Sequence, residues 1–489
     1  MRRLPRSHAK YVRPFSPMGF RLRVLFAVVV GLFGSVAIAA ADGTAAGNGT
    51  AVADDAAADA GVSAAPASPL AAAFGPAVPG PPAGLADAAA LRATVFGTPP
   101  QDIAPLPASV PVVEIDVSLP WRLPIPAVLW FDNKLHVYLS AQNKPAPLAI
   151  IISGTGSDAN TSKIQVLRGV LYGAGYHVLT MPSPTFPGFI VAASRTGVAG
   201  DFQQDAHDLY DALQQIIGHL PRKIKITDID VLGYSLGGAN AAFVKSIDSR
   251  EGKLKIHRAV MINPPVSLFD SIGRLDELFA TSIGSSDAAI ERLYRKLYAR
   301  LANFYRSTDL VQMDQSSMMS AVAASLRTDV DFSAAIAFTF RLDLVDMFFI
   351  GDLYARTGVV TDPKHPPKVG DSLDDIQRAL RLKPFSEYFA RVFAPYYLEA
   401  RPGSTRASLI ADNRLNVIGD ELRSNGDYYV QTNNDDLILD RRELRWLEDT
   451  LGKRIAVYDH GGHLGNLGDR QQVADMLRML DGSWPGGAT

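Results

Sequence analysis

A serine bracketed by glycines is the strongest candidate for a reactive side chain in this sequence. It occurs in Gly233-x-Ser235-x-Gly237, after an alternating apolar run at 228–232 and before a stretch of small residues at 239–244. A G-x-S-x-G sequence between a strand and a helix is typical of a nucleophile elbow, a sharp turn that exposes the serine hydroxyl. Composition alone gives ~0.2 such matches in this length, so the flanking strand and helix carry much of the prediction.

A histidine must lie beside this serine, because a serine hydroxyl is a weak nucleophile without an adjacent base. Of the nine histidines in the sequence, His460 and His463 follow a late predicted strand at 454–458. We favour His463, since the two glycines before it let the backbone fold back toward the serine. His460 stands at the strand end, where its direction is fixed.

A carboxylate should hold the histidine in one tautomer, and it should precede the histidine in the chain. Asp435 and Asp436 follow the predicted strand at 428–432. We favour Asp435, because one polar and two apolar residues come after it, and keep Asp436 as the alternative. The pair could instead cap the next helix, or the Asp/Asn cluster could hold calcium, although it lacks the spacing of a calcium loop.

Two backbone amides must also face the oxyanion that forms during acyl transfer. One should be the amide of Leu236, directly after the serine. The other should come from the loop after the apolar strand at 148–152, where Gly154-Thr155-Gly156 permits a close backbone approach. Thr155 is the first choice, with Gly156 beside it.

Composition narrows the function classes further. The sequence has 489 residues, 47% apolar content, a formal charge of −2 and no cysteine. The charge gives no bias toward nucleic acid. The absence of cysteine excludes disulfides, a thiol nucleophile and thiolate metal sites. No dinucleotide or phosphate loop is visible, since Gly233-x-x-x-Gly237-Gly238 lacks the required spacing and lysine, so neither cofactor nor metal is expected.

The N-terminal 90 residues have the layout of an export segment and a tether. Basic residues precede an uncharged apolar run at 24–41, which ends in small-residue cleavage candidates. We therefore predict a signal peptide or membrane anchor over 1–41 and a periplasmic or cell-envelope location, with membrane association through this segment or the cap described below. Residues 42–90, rich in Ala, Gly and Pro, are predicted to be a disordered linker.

The rest of the chain alternates between strands and helices. Predicted antiparallel strands at 110–119, 127–131 and 135–139 lead into buried strands and helices whose order indicates right-handed crossovers and a parallel sheet. The pattern is interrupted by a helical block at 267–402, which predicts a cap inserted over the carboxyl edge of the sheet. The hydrolytic core would then consist of 91–266 and 403–489.

These motifs together resemble the α/β-hydrolase superfamily. The resemblance rests on Gly154-Thr155-Gly156, the Ser235 elbow, Asp435-Asp436 and Gly462-His463, and covers roughly residues 100 to 480 apart from the insert. It implies a mostly parallel sheet of about eight strands flanked by helices, and a Ser-His-Asp triad of Ser235, His463 and Asp435 or Asp436. Ser153 stands where many members carry a histidine before the oxyanion glycine.

We therefore expect an exported serine hydrolase of carboxylic esters, acting on a small-molecule or lipid substrate. Lipase, esterase, phospholipase and thioesterase activities all stay open. Six Met and Phe side chains of the cap favour an acyl chain, although they could equally form the cap's own core: Met318, Met319, Phe338, Phe340, Phe348 and Phe349. The alternative function is a non-catalytic binding or scaffold protein of the envelope. The sequence leaves the oligomeric state undefined.

Overall fold

The computed structural model describes residues 87–284, 286–293, 295 and 328–485. The predicted export segment, almost all of the predicted linker and residues 296–327 of the predicted helical block lie outside these ranges. None of the helices in the described ranges combines the length and the apolar character that a membrane span requires.

A single sheet of eight strands forms the centre of the described part of the chain. The strands are β1 Val113–Val117, β2 Leu135–Ser140, β3 Ala146–Ile152, β4 His177–Met181, β5 Ile226–Tyr234, β6 Ile256–Ile262, β7 Tyr428–Asn433 and β8 Ile455–Tyr458. Their order across the sheet is β1-β2-β4-β3-β5-β6-β7-β8. β1 pairs antiparallel with β2 and β2 with β4, and the other pairs are parallel. This confirms the predicted fold class.

Helices cover both faces of the sheet. They are α1 Ala88–Phe96, α2 Ser162–Gly173, α3 Pro187–Ala192, α4 Phe202–Gly218, α5 Leu236–Glu251, α6 Leu268–Ser282, α7 Asp329–Ala355, α8 Asp374–Arg381, α9 Phe385–Tyr388, α10 Ala394–Ala400, α11 Arg406–Ala411, α12 Gly419–Ser424, α13 Arg441–Leu451 and α14 Arg470–Asp481. A π-helical stretch, Phe389–Phe393, joins α9 to α10, and 3-10 turns span Pro100–Asp102, Ala127–Leu129, Leu415–Ile418 and Gly452–Arg454.

The central strands are apolar on both faces because each face has its own layer of helices. On β3, Ile150 packs in one core with residues of α4 and α5, whereas Ile151 packs in another with residues of α2 and α14. A purely apolar strand of this kind is what burial on both faces requires. The sheet is therefore a rigid base from which the loops at its carboxyl edge project.

The cap occupies the connection between β6 and β7. Its own core contains Phe348 and Tyr388, whose rings meet edge to face at 5.5 Å. The cap was predicted to end at residue 402, but the chain leaves the cap core for the core of the sheet some residues later. Leu409 still packs in the cap core, while Leu415 belongs to the core of the sheet.

Two predictions about the N-terminal part were wrong in detail. The predicted strand at 127–131 is a 3-10 turn, Ala127–Leu129, preceded by Pro126. Proline has no N–H to donate to a sheet ladder, which favours the turn. Helix α1 begins at Ala88, inside the predicted linker, where Asp87 accepts a hydrogen bond from the Ala89 amide.

Candidate active site

Ser235 stands alone between β5 and α5, in a strained backbone conformation. Its φ is +54°, a value that non-glycine residues adopt at a cost. A Cβ on Gly233 would lie 2.1 Å from the Gly237 carbonyl oxygen, and one on Gly237 would lie 2.2 Å from the Ile152 carbonyl oxygen. Only glycine fits at either position, because strand and helix approach too closely for a side chain.

His463 connects this serine to a carboxylate. Its Nε2 lies 2.9 Å from Ser235 Oγ, and its Nδ1 lies 3.0 Å from Asp436 Oδ1. All three residues are buried, with 5% to 6% of their surface exposed. When Nδ1 carries a proton and donates it to Asp436, Nε2 is free to accept the serine proton.

Asp436 is fixed by a side chain from a distant part of the chain and by an amide of its own loop. Its Oδ2 accepts a hydrogen bond of 2.7 Å from Asn263 Nδ2, and its Oδ1 accepts one of 3.1 Å from the Ile438 amide. Asn263 was not predicted from the sequence. The available signal was its position directly after β6, at the same edge of the sheet as the serine.

The preference for Asp435 over Asp436 does not agree with these hydrogen bonds. Asp435 accepts instead from the amides of Gly462, at 2.8 Å, and Gly461, at 3.2 Å. The side chain of His460 is 80% exposed and lies 3.9 Å from Asp435. Asp435 thus holds the backbone of the loop that follows β8 and contains Gly461, Gly462 and His463, called the histidine loop below. Asp436 contacts the His463 ring.

The Asp/Asn cluster around Asp435 and Asp436 could also have capped the next helix or held calcium. In the structure, residues of this cluster form hydrogen bonds with other groups of the chain. Asp440, rather than Asp435 or Asp436, caps α13 by accepting hydrogen bonds of 2.8 Å from the amides of Arg442 and Glu443. Asn433 donates to the Gly462 carbonyl oxygen at 2.7 Å. The polar groups around Asp435 therefore bind the histidine loop.

Helix α1 supports the same loop from the far end of the sequence. The Thr94 hydroxyl accepts a hydrogen bond of 2.8 Å from the His463 amide. Gly462, at a φ of +54°, passes so close that a Cβ there would lie 2.2 Å from the Ala90 carbonyl oxygen. Sequence reasoning missed Thr94, since nothing in its local pattern indicates a contact with a residue so distant in the chain.

The amides predicted to face an oxyanion lie at the same cavity. Leu236 and Thr155 both line it together with Ser235. No described residue accepts a hydrogen bond from either amide, and Leu236 is the first residue of α5, where helix amides have no partner within the helix. A Cβ on Gly154 would lie 3.2 Å from Ser235 Cβ, so this glycine allows the Thr155 loop to approach the serine.

Gly156 does not fit the role of an oxyanion donor. Its amide donates a hydrogen bond of 2.9 Å to Thr185 Oγ1, which in turn lies 2.9 Å from Ser183 Oγ. Because the Gly156 N–H already donates to Thr185, it is not available to an oxyanion. Thr155 therefore remains the candidate oxyanion donor from this loop.

The cap closes the cavity with a mainly apolar wall. Phe340, Leu344 and Met347 of α7 line it, together with Leu268 and Leu275 of α6. The six Met and Phe residues predicted either to bind an acyl chain or to form the core of the cap differ in their positions. Phe338, Phe348 and Phe349 are buried in the cap cores, Phe340 faces the cavity, and Met318 and Met319 lie outside the described residues.

Three ionisable side chains interrupt this apolar wall: Asp276, Arg341 and Asp343. Arg341 Nη2 lies 2.8 Å from Asp276 Oδ1. Burial raises the pKa of Asp276 and lowers that of Arg341, and their mutual attraction opposes both shifts. This pair joins α6 to α7 across the cavity roof.

One group of potential metal ligands occurs among the described residues, away from the cavity. Glu114, Asp116 and His136 lie on the outer strands β1 and β2, with His136 Nδ1 2.6 Å from Asp116 Oδ1. Both carboxylates are exposed. Cross-strand pairing of opposite charges is sufficient to account for an exposed cluster of this kind.

Comparison with known sequences places the chain in a family. The sequence profile of the alpha/beta hydrolase family matches residues 149–476, more than half of the chain. The chain belongs to this family. No curated protein has a significantly similar sequence.

Several solved structures match most of this chain at low sequence identity. An esterase of Pyrococcus furiosus is 11% identical, with 79% of this chain and 97% of that chain covered and a TM-score of 0.37. Brefeldin A esterase, a bacterial homologue of human hormone-sensitive lipase, is 14% identical over 84% and 88%, with a TM-score of 0.35. A haloalkane dehalogenase of Agrobacterium tumefaciens is 12% identical over 75% and 94%, with a TM-score of 0.34.

Proposed function

We propose that this α/β hydrolase is a serine hydrolase that cleaves carboxylic esters. The observation that carries the proposal is the position of His463, within hydrogen-bonding distance of Ser235 Oγ on one side and Asp436 on the other. A serine with a base oriented by a third group is the arrangement that activates a hydroxyl for attack on an acyl carbon.

The reaction proceeds in two halves. Ser235 Oγ attacks the ester carbonyl carbon while its proton moves to His463 Nε2, and Asp436 stabilises the resulting imidazolium. The amides of Leu236 and Thr155 bind the oxyanion. Collapse of the intermediate breaks the ester C–O bond, and His463 returns the proton to the departing alcohol. Water, deprotonated by His463, then attacks the acyl-enzyme, which releases the carboxylic acid and restores Ser235.

The substrate of this proposal has an apolar part that fits beneath the cap. Phe340, Leu344 and Met347 offer such a part an apolar surface next to the serine. Burial of each methylene contributes about 0.8 kcal/mol, so chain length should strongly affect KM. Small-molecule and lipid esters both meet this requirement.

Labelling with a fluorescent fluorophosphonate tests the proposal most directly. The wild-type protein should react covalently and hydrolyse p-nitrophenyl esters, and Ser235→Ala should do neither. Esters from two to sixteen carbons, assayed in parallel, give the preferred chain length. If the folded wild-type protein neither labels nor hydrolyses any of these esters, the hydrolase proposal is wrong and a binding or scaffold role replaces it.

We further propose that the protein acts outside the cytoplasm, on the basis of the basic and apolar N-terminal segment. Cell fractionation with N-terminal sequencing tests this. Recovery in the periplasm with a new N-terminus near residues 39–41 supports a cleaved signal. Recovery in the membrane with an intact N-terminus supports an anchor, and recovery of the intact chain in the cytoplasm contradicts export.

A further inference from the structure

Helix α7 places a carboxyl group directly against the loop that carries the candidate oxyanion amide. A Cβ built on Gly156 would lie 2.2 Å from Asp343 Cγ and 2.4 Å and 2.6 Å from its two oxygens. The Asp343 carboxyl therefore rests on the backbone next to Thr155. Asp343, Thr155 and Ser235 line one cavity, so a molecule bound at the serine also meets this carboxyl.

No group of the described chain satisfies this carboxyl. None of the described side chains or amides forms a hydrogen bond with Asp343. The neighbouring Arg341 is engaged with Asp276. Asp343 is partly buried, and a partly buried polar group without a protein partner costs free energy unless water or a ligand supplies one. Asp343 lies at the wall of the cavity that contains Ser235.

The surroundings of this carboxyl favour its neutral form. Burial raises the pKa of Asp343 well above its ordinary value, and the negative charge of Asp346 raises it further. The other ionisable groups of the cavity wall, Asp276 and Arg341, neutralise each other. A neutral carboxyl has one O–H donor and retains acceptor capacity, which matches an alcohol hydroxyl, itself both donor and acceptor.

We propose that Asp343 is a specificity-determining residue that binds a hydroxyl group on the acyl part of the substrate, a few bonds from the carbonyl carbon that Ser235 attacks. This inference rests on the proposed function. It assigns hydroxyacyl esters as the substrate class, with the remainder of the acyl group against the apolar cap. The hydroxyl lies near the reacting carbon because Gly156, which the carboxyl touches, directly follows Thr155.

The test compares p-nitrophenyl 3-hydroxybutyrate with p-nitrophenyl butyrate, which share a leaving group and differ by one hydroxyl. The wild-type kcat/KM should favour the hydroxylated ester by about tenfold. Asp343→Leu should abolish or reverse this preference, because leucine cannot form a hydrogen bond with the hydroxyl, and the readout is the ratio of the two kcat/KM values. Asp343→Asn, which keeps a donor and an acceptor, should retain most of the preference.

The control is Asp375→Leu, which removes a cap carboxylate whose side chain is 97% exposed and should leave the ratio of the two esters unchanged. A wild-type preference for the plain ester, or an unchanged ratio in Asp343→Leu, overturns the assignment.

A binding measurement separates failure of this assignment from failure of the proposed hydrolysis. Ser235→Ala is titrated calorimetrically with methyl 3-hydroxybutyrate and methyl butyrate, so that no turnover is needed. Tighter binding of the hydroxylated ester that disappears in Ser235→Ala/Asp343→Leu supports the role of Asp343 even if no ester is hydrolysed. Equal binding of the two esters contradicts it, whatever the labelling of Ser235 shows.

Discussion

At the scale of single residues, two adjacent aspartates have different tasks because their side chains leave the backbone in different directions. Asp436 contacts His463 and accepts a hydrogen bond from Asn263. Asp435 accepts hydrogen bonds from two amides of the histidine loop. One carboxylate orients the base, and the other orients the loop that carries the base.

Substitution of each aspartate by asparagine should separate these tasks. Asp436→Asn is expected to lower kcat by about 10⁴-fold, because the amide favours the wrong tautomer of His463. Asp435→Asn retains a carbonyl oxygen that can accept from the loop, and should lower kcat less than about tenfold. Steady-state kinetics on a p-nitrophenyl ester measures both, and equal losses would contradict the assignment.

At the scale of secondary structure elements, the turn at Ser235 depends on contacts too close for any side chain. Gly237 faces the Ile152 carbonyl oxygen, so an alanine there must displace either α5 or β3. Overpacking of this kind costs about 1 to 3 kcal/mol or more. The same contact aligns the serine with Thr155, whose loop follows β3.

Gly237→Ala should therefore lower both stability and activity. Gly273→Ala is the matched control, since this glycine of α6 has nothing within 4 Å of the added Cβ. Its free energy of unfolding should increase by about 0.5 to 1 kcal/mol. Urea unfolding followed by circular dichroism measures both variants. If Gly237→Ala is as stable as the control, Gly237 does not pack as closely against the Ile152 carbonyl oxygen as described.

Helix α1 acts on the site without contacting the substrate cavity, through Thr94. Thr94→Val keeps the shape of the side chain but loses the acceptor of the His463 amide. We expect kcat to fall by about fivefold with little change in KM, since the imidazole loses a support worth about 1 kcal/mol.

Thr98→Val is the control for this prediction. Thr98 bonds to Gly465 and Gly468 farther along the same loop, so its loss should affect stability similarly and kcat much less. Equal kcat values for Thr94→Val and the wild type would show that Thr94 does not position His463.

At the scale of the whole molecule, stability should depend on pH through a carboxyl in the middle of the sheet. Asp230 on β5 is 2% exposed. Burial raises its pKa from 3.8 to about 7, although the charge of Arg258 opposes the shift. The folded protein therefore holds a proton here that the unfolded chain releases, so this group lowers the free energy of unfolding as pH rises from 3.8 to about 7.

Asp230→Asn should remove this contribution and make the slope of the free energy of unfolding against pH more positive by about 1 kcal/mol per pH unit in this range. Asp228→Asn, at an exposed position of the same strand, should change the slope much less. Chemical denaturation at several pH values between 4 and 7 measures the slopes. A slope that Asp230→Asn leaves unaltered would show that Asp230 is ionised in the folded protein.

Much of the architecture could be predicted because its signals are local. The apolar residues of β3 and the helical spacing of α4 occur within single elements, and the glycines around Ser235 record a contact between adjacent elements. Once the elements alternate, the parallel sheet follows from the handedness of their crossovers, and its carboxyl edge brings the loops of Ser235 and His463 to one side.

Contacts between distant segments decided what the sequence left open. The choice of Asp436 over Asp435 depends on the direction of a turn and on Asn263, and the support of His463 depends on Thr94. The amide of Gly156 is taken by Thr185, and the carboxyl of Asp343 reaches the serine cavity from the cap. A hydrogen bond requires its two atoms within about 3 Å in a suitable direction. Residue type and spacing along the chain determine which groups are available, but only packing brings two of them to that distance.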